Sequence, residues 1–131
     1  MGSVSIWSVI AVGSGGFLGA VSRYLISALT TPSWNMHSLP YGTITANLLG
    51  CFLIGLLAGV FQFKEWMNPD LRLFVFVGIL GGFTTFSTFS SESFLLWKAG
   101  EIGLATWNLI IQIAGGLILV WSGYFCSKWF S

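Results

Sequence analysis

One segment of the 131-residue sequence concentrates side chains that could conduct an ion. From Thr84 to Ser93, seven of ten residues carry a hydroxyl group, and the exceptions are Phe86, Phe89 and Glu92. Hydroxyl groups donate and accept hydrogen bonds, so alone they do not decide the sign of an ion. Phenyl rings present a positive edge. Ring edges beside hydroxyl donors suit a small anion that must lose its water, and the segment therefore favours an anion pathway.

Helical spacing sorts these side chains into three stripes. The stripes are Phe86, Phe89 and Ser93; Thr85, Thr88 and Glu92; and Ser87, Ser90 and Ser91. Hydroxyl groups can donate a hydrogen bond to a carbonyl of their own helix. This explains one or two Ser or Thr residues in a membrane span well, but it explains seven of them poorly. Glu92 is a functional candidate because an ionisable group within a membrane span is costly. Alternatively, Glu92 lies close to the membrane interface by Trp97, where its carboxylate would reach the headgroup region at little cost.

Two adjacent glycines, Gly81 and Gly82, precede the hydroxyl segment. In a helix interior, each lowers stability by roughly 1 kcal/mol relative to alanine. We therefore expect the helix to break near Gly81–Thr85, where protein or water must satisfy the freed backbone groups. The exposed carbonyl oxygens would either bind a small hard cation or belong to a kink that neighbouring hydroxyls close. The residues favour neither alternative.

Four other polar side chains lie in apolar surroundings. Asn47 adds an amide donor to the pathway or holds two helices together. Arg23 either creates a positive potential that gathers anions at a vestibule or snorkels to the interface with Tyr24. Asn108 and Gln112, four residues apart, extend the polar track or link helices.

The rest of the sequence is typical of a membrane protein. Hydrophobic residues make up 55% and charged residues 7%, with a mean hydropathy of +0.85, whereas charged residues are usually about 25%. This composition excludes a small soluble domain and a disordered chain. Four apolar stretches each reach the roughly 20 residues that cross a bilayer core; they are Val4 to Thr30, Gly42 to Phe63, Arg72 to Trp97 and Ile102 to Phe125. We therefore predict an all-α membrane protein in which residues 1–131 form one domain of four transmembrane helices.

The basic residues define the orientation of these helices poorly. With an even number of spans both termini share one side, which carries Lys64, Arg72 and Lys128. The opposite side carries Lys98, and Arg23 lies within the first span. Because orientation follows the Lys and Arg bias of short flanks, either the termini weakly favour the cytoplasm or copies insert both ways.

Small residues and net charge bear on possible partners. Gly15 and Gly19 are four residues apart, as are Gly55 and Gly59, and such spacing lets helices approach closely in lipid. Four spans can hardly bury these faces and also enclose a conduit, so we expect a homo-oligomer surrounded by lipid. The net charge of +1 leaves no basic surface for nucleic acid.

Three motifs resemble those of the Fluc (CrcB) fluoride channel family. They are GGFTTFSTFS at 81–90, GGFLGAVSRY at 15–24 and GTITAN at 42–47. They occur in the family's order, and the four-span layout covers the whole chain. The resemblance implies an antiparallel, dual-topology homodimer with two pores in the cell inner (plasma) membrane. It also implies passive, selective fluoride export that protects a microbial cell.

The resemblance assigns roles residue by residue. It implies that Asn47 is the pore asparagine, that Phe86 and Phe89 face the ions, and that the track includes Ser87, Thr88, Ser90 and Glu92. It implies a structural sodium ion held by the backbone carbonyls of Gly81 and Thr84 from both subunits. The fourth span departs from the family, because Asn108 and Gln112 stand where members carry Tyr and Ser.

Three other functions compete with a fluoride channel. Small proton-coupled multidrug exporters also use four spans, but they carry a glutamate in the first span, where this chain has Arg23 and no acid. A structural subunit without transport is the second rival. An enzyme is not expected, because the single histidine, His37, has no paired nucleophile or metal ligands nearby in the sequence.

Overall fold

The computed structural model describes residues 4–31, 33–62 and 68–129. All regular structure in these ranges is helical, and the helices form four spans long and apolar enough to cross a membrane. We number them α1 (Ile6–Thr30), α2 (Tyr41–Gln62), α3 (residues 69–83), α4 (Phe86–Lys98) and α5 (Ile102–Ser127). The third span, Pro69–Lys98, contains both α3 and α4. The prediction of an all-α protein with four membrane spans is confirmed.

The helix ends follow local capping and lie within a few residues of the prediction. Ser5 precedes α1 and its hydroxyl accepts a hydrogen bond from the Trp7 N–H at 3.2 Å, so α1 begins two residues after Val4. Asn68 caps α3 by accepting from the Asp70 N–H at 2.9 Å. Pro69 fits the first helical turn because it has no N–H to satisfy, which starts the third span before Arg72. Phe63, the predicted end of the second span, lies outside the described residues.

Close glycine contacts join the spans in pairs. Helix α2 lies against the C-terminal half of α5, and α1 lies against residues 73–80 of α3. A Cβ atom at Gly55 would overlap the Val120 carbonyl oxygen, and one at Gly19 would overlap the Ile79 carbonyl oxygen. These overlaps confirm the prediction that the small residues serve close packing, which in lipid depends on van der Waals contact.

Alanine at Gly55 should therefore destabilise the protein. The new methyl group meets backbone rather than a flexible side chain, and overpacking of this kind costs roughly 1–3 kcal/mol. We expect a lower thermal denaturation midpoint in detergent for Gly55→Ala. Gly13→Ala is the matched control, since no atom lies within 4 Å of its added Cβ, and it should leave the midpoint unchanged or raise it. Equal midpoints for the two variants would contradict the packing role.

The third span breaks within the predicted range, and the two glycines themselves are helical. Gly81 is helical, with φ −64° and ψ −37°, and Gly82 provides a close approach, because its Cβ would lie 2.7 Å from the Gly16 carbonyl oxygen. The chain becomes extended at Thr84 (φ −91°, ψ 157°) and Thr85 (φ −150°, ψ 114°). The extended residues lie at the C-terminal end of the predicted range Gly81–Thr85, and Gly82 serves contact with α1.

Two π-helical stretches were not predicted from the sequence. They are Leu73–Leu80 in α3, directly before the glycine pair, and Ile111–Gly115 in α5, which contains Gln112. Such wide turns are rare and often mark functional positions. Both stretches belong to the helices that surround the break.

Candidate functional site

The carboxamide of Asn47 closes the break in the third span. Its Oδ1 accepts a hydrogen bond from the Thr85 N–H at 2.8 Å, and its Nδ2 donates to the Thr85 carbonyl at 3.1 Å. Antiparallel strands exchange the same pair of bonds between opposite residues. Asn47 therefore stands in for a neighbouring strand and satisfies the backbone that the break frees, as a membrane interior requires.

The break also leaves the last backbone carbonyls of α3 without helical donors, as at any helix end, and those of Gly81 and Thr84 are among them. The Thr85 N–H, which an unbroken helix would give to the Gly81 carbonyl, goes to Asn47. The Thr88 N–H, which would go to the Thr84 carbonyl, instead goes to the Thr85 hydroxyl at 3.2 Å. The carbonyl oxygens of Gly81, before the break, and of Thr84, within it, therefore make no helical hydrogen bond.

From Asn47, a chain of side-chain hydrogen bonds crosses to α5 and returns to α4. Asn47 Nδ2 donates to Gln112 Oε1 at 2.6 Å, and Gln112 Nε2 donates to Asn108 Oδ1 at 2.8 Å. Asn108 Nδ2 then donates to the Ser93 hydroxyl at 2.9 Å, which itself donates to the Phe89 carbonyl at 2.8 Å. The direction of the chain is set at its start, because a backbone N–H only donates and a backbone carbonyl only accepts. We call this chain the amide relay.

The amide relay confirms that Asn108 and Gln112 link helices. Asn108 is fully buried and Gln112 is 9% exposed, and buried amides need such partners because an unpaired polar group costs roughly 1–3 kcal/mol. Whether the two side chains also extend an ion track remains a prediction.

A cavity of about 280 Å³ opens beside the break. Its walls include Asn47, Leu80, Thr84, Phe86, Phe89 and Gln112. The rings of Phe86 and Phe89 lie 5.6 Å apart between centroids, but their exposures differ: Phe86 is 78% exposed and Phe89 is 5% exposed. The structure thus brings the predicted asparagine and both predicted phenylalanines to one cavity.

Glu92 lies at a second cavity, of about 220 Å³, which Thr43, Thr88 and Trp34 also line. The Thr43 hydroxyl donates to Glu92 Oε1 at 2.7 Å. Oε2 is buried and has no hydrogen-bond partner among the residues that the structure describes. The Thr43 contact holds the carboxylate against α2, and the alternative of a position close to the interface by Trp97 stays a prediction.

Three predicted residues, Ser87, Ser90 and Arg23, line neither of these two cavities. Ser87 and Ser90 are exposed on α4, with the Ser87 hydroxyl 3.4 Å from that of Thr85. Arg23 is half-buried on α1 and has no acidic partner within the described ranges. Sequence reasoning missed Thr43 as the partner of Glu92, and the available signal was its position four residues before Asn47, on the same face of α2.

Fold and site together define a multi-pass helical membrane protein. Its polar side chains converge on an interrupted helix, an arrangement that membranes tolerate where the backbone lines a cavity. No group of three or more His, Cys, Asp or Glu side chains within residues 4–31, 33–62 and 68–129 could hold a metal ion.

Comparison with known proteins identifies the family. The family model described as "CrcB-like protein, Camphor Resistance (CrcB)" matches residues 10–124, and the chain belongs to this family. A relative from Elusimicrobium minutum, named "Fluoride-specific ion channel FluC", is 44% identical over 117 residues, which cover 89% of this chain and 90% of the relative. Relatives of the same name come from Ruminiclostridium cellulolyticum, 47% identical over 82% of each chain, and Hydrogenovibrio crunogenus, 39% identical over 99% and 98%.

Proposed function

We propose that this chain is a fluoride-selective ion channel that passively exports fluoride across the inner membrane and so relieves fluoride toxicity. The observation that carries the proposal is the helix break bridged by Asn47, which lies beside Phe86 and Phe89 at an open cavity. Its relatives carry the name of a fluoride-specific channel. The family is one of ion channels, so the chain is not an enzyme.

Fluoride is small and strongly hydrated, so a selective path must replace its water. In our proposal, the Asn47 amide and the edges of the Phe86 and Phe89 rings do this at the break. Hydroxyl and carboxyl groups continue the path along α4; they are Ser87, Thr88, Ser90 and Glu92. Amide, hydroxyl and ring-edge contacts stabilise an anion without the full positive charge that would trap it.

Arg23 would act at the entrance rather than along the path. A guanidinium group remains charged, and a positive potential raises the local anion concentration. We therefore propose that it serves a vestibule that gathers fluoride.

Exposed polar groups on α4 support a second copy of the chain as the partner. Ser87, Thr88 and Ser90 are exposed within a membrane span, and Phe86 at the cavity mouth is 78% exposed. Lipid cannot satisfy hydroxyl groups, so protein should cover this face. We propose a homodimer of two antiparallel subunits, since the Lys and Arg bias is weak enough for both orientations.

A structural sodium ion would fit at the dimer centre. A two-fold axis pairs each group with its own copy, so the breaks of two subunits could meet there. The carbonyls of Gly81 and Thr84 have lost their helical donors, and carbonyl oxygens suit a hard cation. We propose that these four oxygens, two from each subunit, would bind the ion. Its positive charge would then stabilise the contact between the two interrupted helices.

A liposome flux assay tests the function. Purified protein should release trapped fluoride, followed with a fluoride electrode, without an applied proton gradient. It should not release chloride at a comparable rate. Proton-dependent cation antiport would contradict the proposal and favour a multidrug exporter. A folded protein that conducts nothing would favour a structural subunit.

Labelling from outside the cell tests dual topology. Met36 lies in the α1–α2 loop and is 45% exposed, so Met36→Cys places a thiol at one end of the bundle. The native Cys51 and Cys126, which are free thiols, are replaced by alanine in the background and serve as the unlabelled control. We expect a membrane-impermeant maleimide to label about half of the Met36→Cys pool in intact cells, because weak charge bias inserts both orientations. Complete or absent labelling would contradict dual topology.

A further inference from the structure

We propose that Gln112 sets how tightly the pathway holds fluoride, because its side-chain oxygen competes with the ion for a hydrogen atom of Asn47. This inference rests on the proposed conduction of fluoride past Asn47. It concerns a residue of the fourth span whose alternatives were to extend the polar track or to link helices, and it gives the amide relay a role beyond joining helices.

Both amide hydrogens of Asn47 already have protein acceptors. Nδ2 donates to the Thr85 carbonyl at 3.1 Å and to Gln112 Oε1 at 2.6 Å. A carboxamide nitrogen carries only two hydrogens. An anion that accepts a hydrogen bond from Asn47 must therefore displace one of these two oxygens.

Gln112 is the acceptor that can yield. The Thr85 carbonyl belongs to a backbone that Asn47 holds by two bonds at once, so displacing it would reopen the break. Gln112 Oε1 ends a side chain with three rotatable bonds, and this side chain lines the same cavity as Phe86 and Phe89. Its Nε2 donates a hydrogen bond to Asn108 Oδ1 at 2.8 Å. This bond can hold the end of the side chain in place while Oε1 rotates away from Asn47.

Exchange of one acceptor for another keeps ion binding weak. When fluoride replaces Gln112 Oε1, the gain is the difference between two hydrogen bonds rather than a whole new bond. Conduction needs this balance, because an ion must bind well enough to enter and weakly enough to leave. Without the competing oxygen, fluoride would meet an unpaired N–H in a largely apolar cavity and would stay longer.

The test is fluoride efflux from liposomes over a range of fluoride concentrations. Gln112→Met keeps the length of the side chain and removes its strong acceptor. We expect the half-saturating fluoride concentration to fall about fivefold to tenfold, as loss of one competing hydrogen bond implies, and the maximal flux to fall because release slows. Gln112→Ser is too short to reach Asn47 and can bond within its own helix, so it should show the same change if the methionine variant folds poorly.

Thr106→Val is the matched control. Thr106 lies on the same span, is exposed and donates only to the Ile102 carbonyl, so its loss should not move the half-saturating concentration. Folded Gln112 variants whose half-saturating concentration is unchanged or raised would overturn the inference, including variants that lose only maximal flux. If the wild-type protein conducts no fluoride, the proposed function itself is wrong. If it conducts fluoride and the half-saturating concentration of the Gln112 variants equals that of the wild type, only the proposed role of Gln112 is wrong.

Discussion

Replacing Asn47 by aspartate should abolish fluoride efflux. The substitution removes the Nδ2 donor, so a carboxylate oxygen would face the Thr85 carbonyl and Gln112 Oε1, which now lie 3.1 and 2.6 Å from that position. It also places a negative charge beside the path of an anion. Two unit charges 4 Å apart repel by about 4 kcal/mol at an effective dielectric of about 20, which corresponds to a factor of several hundred in rate.

Asn35→Asp is the matched control for this loss. Asn35 lies in the exposed α1–α2 loop, and its Oδ1 accepts from the His37 N–H at 2.9 Å, a bond that aspartate keeps. Efflux should be unchanged in this variant, although both substitutions alter the same side-chain group. Normal efflux from folded Asn47→Asp protein would remove Asn47 from the pathway.

Isoleucine at Phe86 or Phe89 should cut fluoride flux strongly while the proposed dimer persists. An aliphatic side chain keeps most of the volume but has no positive ring edge for the anion. If a ring edge holds the anion as well as it holds a second ring, about 0.5–1.5 kcal/mol, each substitution should lower flux by up to about tenfold. Flux and dimer content, the latter by size-exclusion chromatography, are measured on the same preparations.

The two variants should differ in stability. Phe89 is 5% exposed, so a change of shape there disturbs packing and should lower the thermal midpoint. Phe86 is 78% exposed in the single chain, so its replacement should affect the midpoint less. Phe94→Ile is the control, because Phe94 is on the same helix, is 55% exposed and contacts Trp97 instead. Unaffected flux in both Phe86→Ile and Phe89→Ile would mean that the rings serve packing alone.

The sequence alone predicted the all-α architecture of four membrane spans and the interruption in the third. Apolar length predicts spans because a helix must cross a hydrocarbon core of nearly constant thickness, and all four spans lie within a few residues of their predicted bounds. The segment at 81–90 indicates the family and a break near Gly81–Thr85, since both signals are local in the chain.

Only the tertiary structure decided which groups are partners. Asn47 reaches Thr85 and Gln112 across 38 and 65 residues of sequence, and such contacts depend on how each helix is rotated about its axis. The same rotation buries Phe89, leaves Phe86 exposed and turns Glu92 toward Thr43. Hydropathy and spacing identify polar residues that need a partner in a membrane, but the choice of partner arises from side-chain packing between spans.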